Sequence, residues 1–279
     1  MIQNGNIFTF NHEFYKTTYT DLEANNITTR YDLLFHYLKY GRRERRSMCN
    51  DEINYHYNKN LVDSKQSLQQ FVKANFKPFN ILIRTSNRPN YFRKCINSIL
   101  NQTYINYHVY ICYDKKESLS YLNEYKNCDK ITFFYVNDSS PEKYKFNLYC
   151  NHLLDRVENG YIIFLDDDNY FISNDILSII NISLKKTKIL TWKFLRPDKL
   201  IYKEDLNSPL VLGEIDTSNV CFCSSIKNDA RWNDKQYGDY NFFKPLFDNN
   251  NDINDKIFLD LILTSTQFSD KIGNFGENK

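Results

Sequence analysis

Gly160-Tyr-Ile-Ile-Phe-Leu-Asp-Asp-Asp-Asn-Tyr-Phe171 is the stretch on which the fold turns. From Tyr161 to Leu165 five apolar residues run without the alternation of a half-wet strand, which predicts a strand buried on both faces of a parallel sheet. Asp166, Asp167 and Asp168 stand at its C-terminal end. In an open α/β sheet ligands bind in the crevice outside the carboxyl ends of the strands. Three adjacent acids repel one another, and a divalent cation held by oxygen ligands is the simplest compensation. A polar turn that caps the next helix, near Asn174, is the competing reading.

On either side the sequence alternates strand and helix. Asn80 to Thr85 reads as a first strand, Ser86 to Pro89 as a tight loop, and Phe92, Ile96, Ile99 and Leu100 as one face of a helix. His108 to Tyr113 is a second strand ending in Asp114, and Lys130 to Val136 is a third. A loop with Pro141 leads into a helix carrying Phe146, Cys150, Leu153, Leu154 and Val157, and the Tyr161 strand comes fourth. A helix with Ile176, Ile180 and Leu184 precedes a strand from Lys188 to Phe194. The expected body, residues 77–279, is therefore a Rossmann-like, mostly parallel sheet with helices on both faces. Each strand sends polar groups to one edge: Thr85 and Arg88, Asp114, Asn137 and Asp138, then the three acids. No Gly-x-Gly-x-x-Gly follows the first strand, which argues against a dinucleotide fold.

A chain of 279 residues can hold one large domain, or one domain plus a small appendage. Lys and Arg number 36 against 34 Asp and Glu, so no general attraction to nucleic acid or anionic membrane is expected. The 7 Cys are an odd number without paired spacing, as in a reducing compartment. Met1 to Phe10 lacks a signal-peptide pattern and no apolar run reaches membrane-spanning length, so the expectation is a soluble cytoplasmic protein.

Residues 1–76 read as a helical module and linker. Between Tyr31 and Gly41, Leu33 with Tyr37 and Leu34 with Leu38 are apolar pairs one turn apart, and Gly41 suits the position just past a helix end. Arg42, Arg43, Arg45 and Arg46 follow, either as a solvated patch complementing the helix dipole or as a surface for phosphate or an acidic partner. The segments Phe10 to Tyr15, Tyr19-Thr-Asp-Leu22 and His36 to Arg46 together resemble a small helical module found in front of some glycosyltransferases.

Ile81-Leu-Ile-Arg-Thr-Ser-Asn-Arg-Pro89 through Cys95-Ile-Asn-Ser-Ile-Leu-Asn-Gln-Thr-Tyr104, with Phe164-Leu-Asp-Asp-Asp168 downstream, resembles glycosyltransferase family 2, the nucleotide-sugar-dependent enzymes of the GT-A fold. The likeness runs from about Asn80 to Phe247. It implies that Thr85, Arg88 and Asp114 embrace the nucleoside, Asp114 accepting a uracil N–H and Arg88 meeting phosphate or ribose. A helix cap for Asp114 and a loop salt bridge for Arg88 are the alternatives. The family's Asp-x-Asp motif falls on Asp166 and Asp168 as ribose or metal contacts, with Asp167 between them, and implies a bound Mn²⁺ or Mg²⁺. The resemblance also makes Asn151, fifteen residues ahead of Asp166 where relatives carry Ala-Arg-Asn, a nucleotide-sugar contact, with Cys150 in place of the Arg.

Gly213 to Cys223, Arg231-Trp232 and Gln236 to Phe243 resemble the acceptor side of the same family. The resemblance makes Asp239 the base that activates an acceptor hydroxyl, worth about 10²–10⁴-fold, or else a simple helix N-cap. Asp216 and Trp232 are acceptor-binding candidates, a buried structural Trp being the other reading. Many relatives supply a late His to the metal, and this chain has none after His152. The tail from Thr264 to Gly276 reads as a flap or a disordered terminus. The implied activity is metal-assisted, inverting transfer from a UDP-sugar to a hydroxyl of a glycan or glycoconjugate. The alternative is a non-catalytic nucleotide- or carbohydrate-binding or assembly protein with a degenerate site.

Overall fold

The structure, a computed structural model, describes residues 12–29, 32–33, 36–41, 44, 46, 77–137, 141, 143–184, 187–250 and 252–267. Two compact units emerge. The first takes in the described residues up to 76 together with 103–105 and 175–183, so it draws two pieces from what the sequence assigns to the α/β body.

In the first unit, α1 (His12–Thr18) and α2 (Asp21–Ala24) bury Tyr15 and Leu22 with Leu33 and Tyr37. Tyr15 Oη lies 3.1 Å from His36 Nδ1. Gly41 does not stand past a helix end. It closes a π-helical turn, Tyr37–Gly41, where a Cβ would lie 2.4 Å from Tyr15 Oη, so close approach explains the glycine. Arg46 donates to both Asp21 oxygens, at 3.0 and 2.7 Å, and so serves as an internal tie. Arg42, Arg43 and Arg45 lie outside the described residues.

The second unit opens with β1 (Phe79–Thr85), followed by α3 (Pro89–Leu100), β2 (Tyr107–Tyr113), α4 (Leu119–Leu122), β3 (Ile131–Tyr135), α5 (Tyr149–Leu154), β4 (Tyr161–Phe164) and β5 (Asn169–Phe171). Helix α6 (Ile176–Ser183) belongs to the first unit. The chain goes on through β6 (Ile189–Leu195), β7 (Leu200–Ile201), β8 (Val220–Cys223), α7 (Gly238–Asn249) and β9 (Lys256–Thr266). Strand order is β3-β2-β1-β4-β8-β6-β9-β5, with β7 paired to β6.

From β3 to β4 every pairing is parallel, as the uninterrupted apolar runs require. Beyond β4 the sheet becomes mixed rather than mostly parallel: β8 runs antiparallel to both β4 and β6, β9 runs parallel to β6, and β5 is antiparallel to β9. Strands β8 and β9 went unread in the sequence. Of the expected flap, residues 268–276 lie outside the described residues, and Thr264 and its neighbours are strand. They end an eleven-residue strand, and Thr264, Ser265 and Thr266 are buried.

One face of the sheet, with Leu82, Ile162, Phe164 and Phe222, packs against Cys150, Leu153 and Leu154 of α5 and Phe242, Phe243, Leu246 and Phe247 of α7. Helix α3 starts at Pro89, whose missing N–H costs nothing at a first helical position, and buries Phe92, Cys95, Ile96 and Ile99. Gly160 enters β4 at φ +92°, and a Cβ there would lie 2.3 Å from Pro78 O. That close approach sets β4 against β1, and Tyr161 donates its N–H to Pro78 O. Among the described residues no helix is long and apolar enough to cross a membrane, and the described cysteines are free.

Candidate active site

At the carboxyl edge, where β4 hands over to β8, lies a cavity of about 330 Å³. Asp166, Asp168, Asp216, Trp232 and Asp239 line it, together with Arg84, Asn147, Arg196, Lys235 and Tyr237. Residues from the donor and acceptor halves of the sequence thus meet in one space.

Asp166 follows β4 directly and is gripped by Arg84 of β1, whose Nε donates to Oδ1 at 2.8 Å and whose Nη2 donates to Oδ2 at 3.2 Å. Thr217 Oγ1 donates to Oδ2 at 2.9 Å. Burial works to raise the Asp166 pKa, but the Arg84 charge and these hydrogen bonds outweigh it and hold the carboxyl below its ordinary value. Arg84 and Thr217 thus fix the Asp166 carboxylate at the cavity wall.

Asp167 is fully buried and faces away from the cavity lining. It accepts hydrogen bonds from Thr85 Oγ1 at 2.7 Å and from Arg88. Thr85, itself buried, also meets Tyr121 Oη at 2.8 Å. Arg88 spends its remaining reach on Asp168, Nη1 to Oδ2 at 3.0 Å. Thr85, Arg88 and Asp167 therefore form a brace under the acidic loop, with Arg88 ion-paired to Asp167 and Asp168.

The backbone of that loop is fixed from β9. Gln267 donates its N–H to Asp168 O at 2.8 Å and its side-chain amide to Tyr91 O at 2.9 Å. Burial raises the Asp168 carboxyl despite the opposing Arg88 charge. Among the described residues no hydrogen bond reaches its Oδ1, and the side chain lines the cavity.

Among the described residues no group of three or more His, Cys, Asp or Glu is arranged to hold a metal ion. The donor set fits an ion of another kind. Magnesium-like cations are commonly bound by one or two carboxylates, with substrate phosphates and water completing the shell. Asp168 is the residue that would hold it.

On the acceptor side Asp216 caps the short turn Thr217–Asn219, accepting from Ser218 N at 3.2 Å, while Asn219 Oδ1 accepts from Asp216 N at 2.9 Å. Burial first, then the neighbouring Asp239 and Asp166, pushes the Asp216 pKa up to about 7. Asp239 sits in the first turn of α7 rather than at its N-cap, which is Tyr237. Burial raises its pKa as well, with the Tyr240 amide and Arg84 opposing.

Trp232 is 3% exposed and stacks on Phe242 at 4.7 Å, so it is a core residue at the cavity wall. Its buried Nε1 has no protein partner, which suits a ligand oxygen or a water. Asn151 does not line the cavity. Its amide is clamped to the Trp232 backbone, Nδ2 to O at 2.9 Å and Trp232 N to Oδ1 at 3.0 Å. Asp114 also lies outside the cavity lining, at the end of β2. One oxygen accepts from Tyr149 Oη at 3.4 Å and the other is buried without a protein partner.

Sequence reading missed Arg84, Asn147, Thr217 and Gln267. Only Arg84 left a signal: a cation at the end of the buried run Ile81-Leu-Ile83 demands a carboxylate nearby.

Residues 80–195 match the pattern of glycosyl transferase family 2. Among solved structures, S. aureus TarS 1-349 is similar at 16% identity with a TM-score of 0.53, over 68% of this chain and 60% of that one. TarS 1-349 in complex with UDP-GlcNAc gives 16% identity and 0.54 over 71% and 60%. The mannosyltransferase PcManGT from Pyrobaculum calidifontis, in complex with GDP-Man and Mn²⁺, gives 10% identity and 0.50 over 72% and 59%. The chain thus spans about three fifths of each of these three structures. These likenesses identify the fold as GT-A.

Proposed function

Because residues 80–195 belong to glycosyl transferase family 2, we propose that the protein transfers a sugar, with inversion, from a UDP-sugar to a hydroxyl of a glycan or glycoconjugate. The observation that carries the reading is the single cavity shared by Asp168 and Asp239, acids from opposite halves of the chain. The TarS complex with UDP-GlcNAc supports uridine as the nucleoside, and PcManGT with GDP-Man supports a sugar nucleotide more broadly.

Inversion requires one displacement at the anomeric carbon, with the acceptor hydroxyl attacking opposite the diphosphate. A neutral hydroxyl is a poor nucleophile, so a base must take its proton as the bond forms. Asp239 holds that place, and its burial makes it a stronger base than a solvated carboxylate. Asp216, titrating near neutrality, carries a proton part of the time and then donates a hydrogen bond to an acceptor oxygen. Asp114, at the carboxyl end of β2, would accept a nucleobase N–H. Asp168 would hold Mn²⁺ or Mg²⁺, which when bound neutralises the diphosphate as leaving group.

The test is product analysis by mass spectrometry after incubation with UDP- and GDP-sugars and a panel of glycan acceptors. The expected result is an acceptor heavier by one sugar residue, from a UDP-sugar, with the opposite anomeric configuration. Absence of product with every donor, together with absence of UDP binding by calorimetry, would overturn the reading.

A further inference from the structure

Arg84 reaches two places at once. Its fork holds Asp166, and its remaining nitrogen, Nη1, donates to Asn147 Oδ1 at 3.2 Å and Phe146 O at 3.3 Å. The guanidinium carbon lies 5.0 Å from the Phe146 ring centre and 5.9 Å from that of Trp232, which restricts its rotamers.

A guanidinium only donates, so it claims the amide oxygen of Asn147 and turns Nδ2 the other way. Asn147 Nδ2 donates to Lys235 O at 3.0 Å. The turn from Lys235 to Asp239 then packs so tightly on Asn147 that a Cβ on Gly238 would lie 2.4 Å from Nδ2. Next to it, Tyr237 is held at φ +62°, a left-handed conformation that is costly for a residue with a β-carbon and persists only where surroundings enforce it. Asp239 follows immediately.

We propose that Arg84 is the positioning residue that keeps the acceptor-side carboxyl of Asp239 in register with the donor-side carboxyl of Asp166, acting through Asn147 on the 235–239 turn. Its catalytic meaning rests on the glycosyl-transfer reading above, whereas the clamp itself does not. Lysine cannot replace it, because an ammonium lacks the planar fork that serves Asp166 and Asn147 together.

The test compares wild type with Arg84→Lys, Arg84→Met and Asn147→Ala. Amide hydrogen exchange across 235–239 is expected to quicken about three- to tenfold in all three variants, the loss of one ordinary hydrogen bond, while β4 and α3 keep wild-type protection. Carboxyl ¹³C titration of Asp239 is expected to move to higher pH in Arg84→Met, since Arg84 lowers its pKa, and to stay put in Asn147→Ala. Unchanged exchange at 235–239 in folded Arg84→Lys and Asn147→Ala would overturn the proposal. Should an Arg84 variant fail to fold, exchange in Asn147→Ala decides the matter. If the clamp responds as expected but wild type binds no UDP and transfers no sugar, the glycosyl-transfer reading falls and the clamp stands.

Discussion

Gln267 N donates to Asp168 O at 2.8 Å, so the end of β9 holds the backbone of the acidic loop that follows β4. With Arg88 on one carboxylate oxygen, Asp168 presents its other oxygen to the cavity from a fixed frame. One fixed carboxylate oxygen is a weak cation site until phosphates complete it.

Thermal unfolding with Mn²⁺ and UDP checks this. Mn²⁺ alone is expected to leave Tm almost unchanged, and Mn²⁺ with UDP to raise it, since a ligand at a hundred times its Kd adds about 2.7 kcal/mol. Asp168→Ala should lose the Mn²⁺-dependent part. An equal Mn²⁺ effect in both proteins would remove Asp168 from the ion's shell.

Asp239→Asn should reduce transfer by about 10²–10⁴-fold while UDP affinity stays within a factor of two or so. The base works only when ionised, and its pKa is raised. Activity of the wild type should therefore fall as pH drops through a value above the ordinary carboxylate range. Steady-state rates against pH measure that limb, and turnover unchanged in Asp239→Asn would exclude it as base.

Asp216 gives a stability signature. Its pKa rises from 3.8 to about 7 on folding, so between those values the native state keeps a proton the unfolded state has lost. Stability contributed by this group therefore falls as pH rises across that window. Urea unfolding should show wild type losing ground to Asp216→Asn between about pH 4 and 7, at a slope no steeper than about 1.4 kcal/mol per unit. Parallel pH profiles for the two proteins would contradict the buried-acid account.

Asn151→Ala should destabilise the fold by about 1–3 kcal/mol, because Trp232 N and O both lose their partner. UDP binding by the folded variant should match wild type. A selective loss of UDP affinity at unchanged Tm would return Asn151 to the donor site.

The sequence by itself determined the parallel half of the sheet and the clustering of acids at its edge. An uninterrupted apolar run such as Tyr161 to Leu165, five residues long and ended by acids, suits a doubly covered strand, and period and length are local properties. The same locality explains the misses. Val220-Cys-Phe-Cys223 is a short apolar run whose type depends on its neighbours, and Lys256 to Thr266 earns its strand only by pairing with β6 and β5. Tertiary structure alone decided how the acids are partnered: Asp167 lies outside the cavity lining on Arg88 and Thr85, Asp166 lines it in the grip of Arg84, and Asp168, Asp216 and Asp239 line it as well. Asp167 and Asp168 lie in a turn closed by Asn169 N on Asp166 O, and a buried charge goes where a partner lies, so the choice among three identical side chains was made by arginines distant from them in the chain.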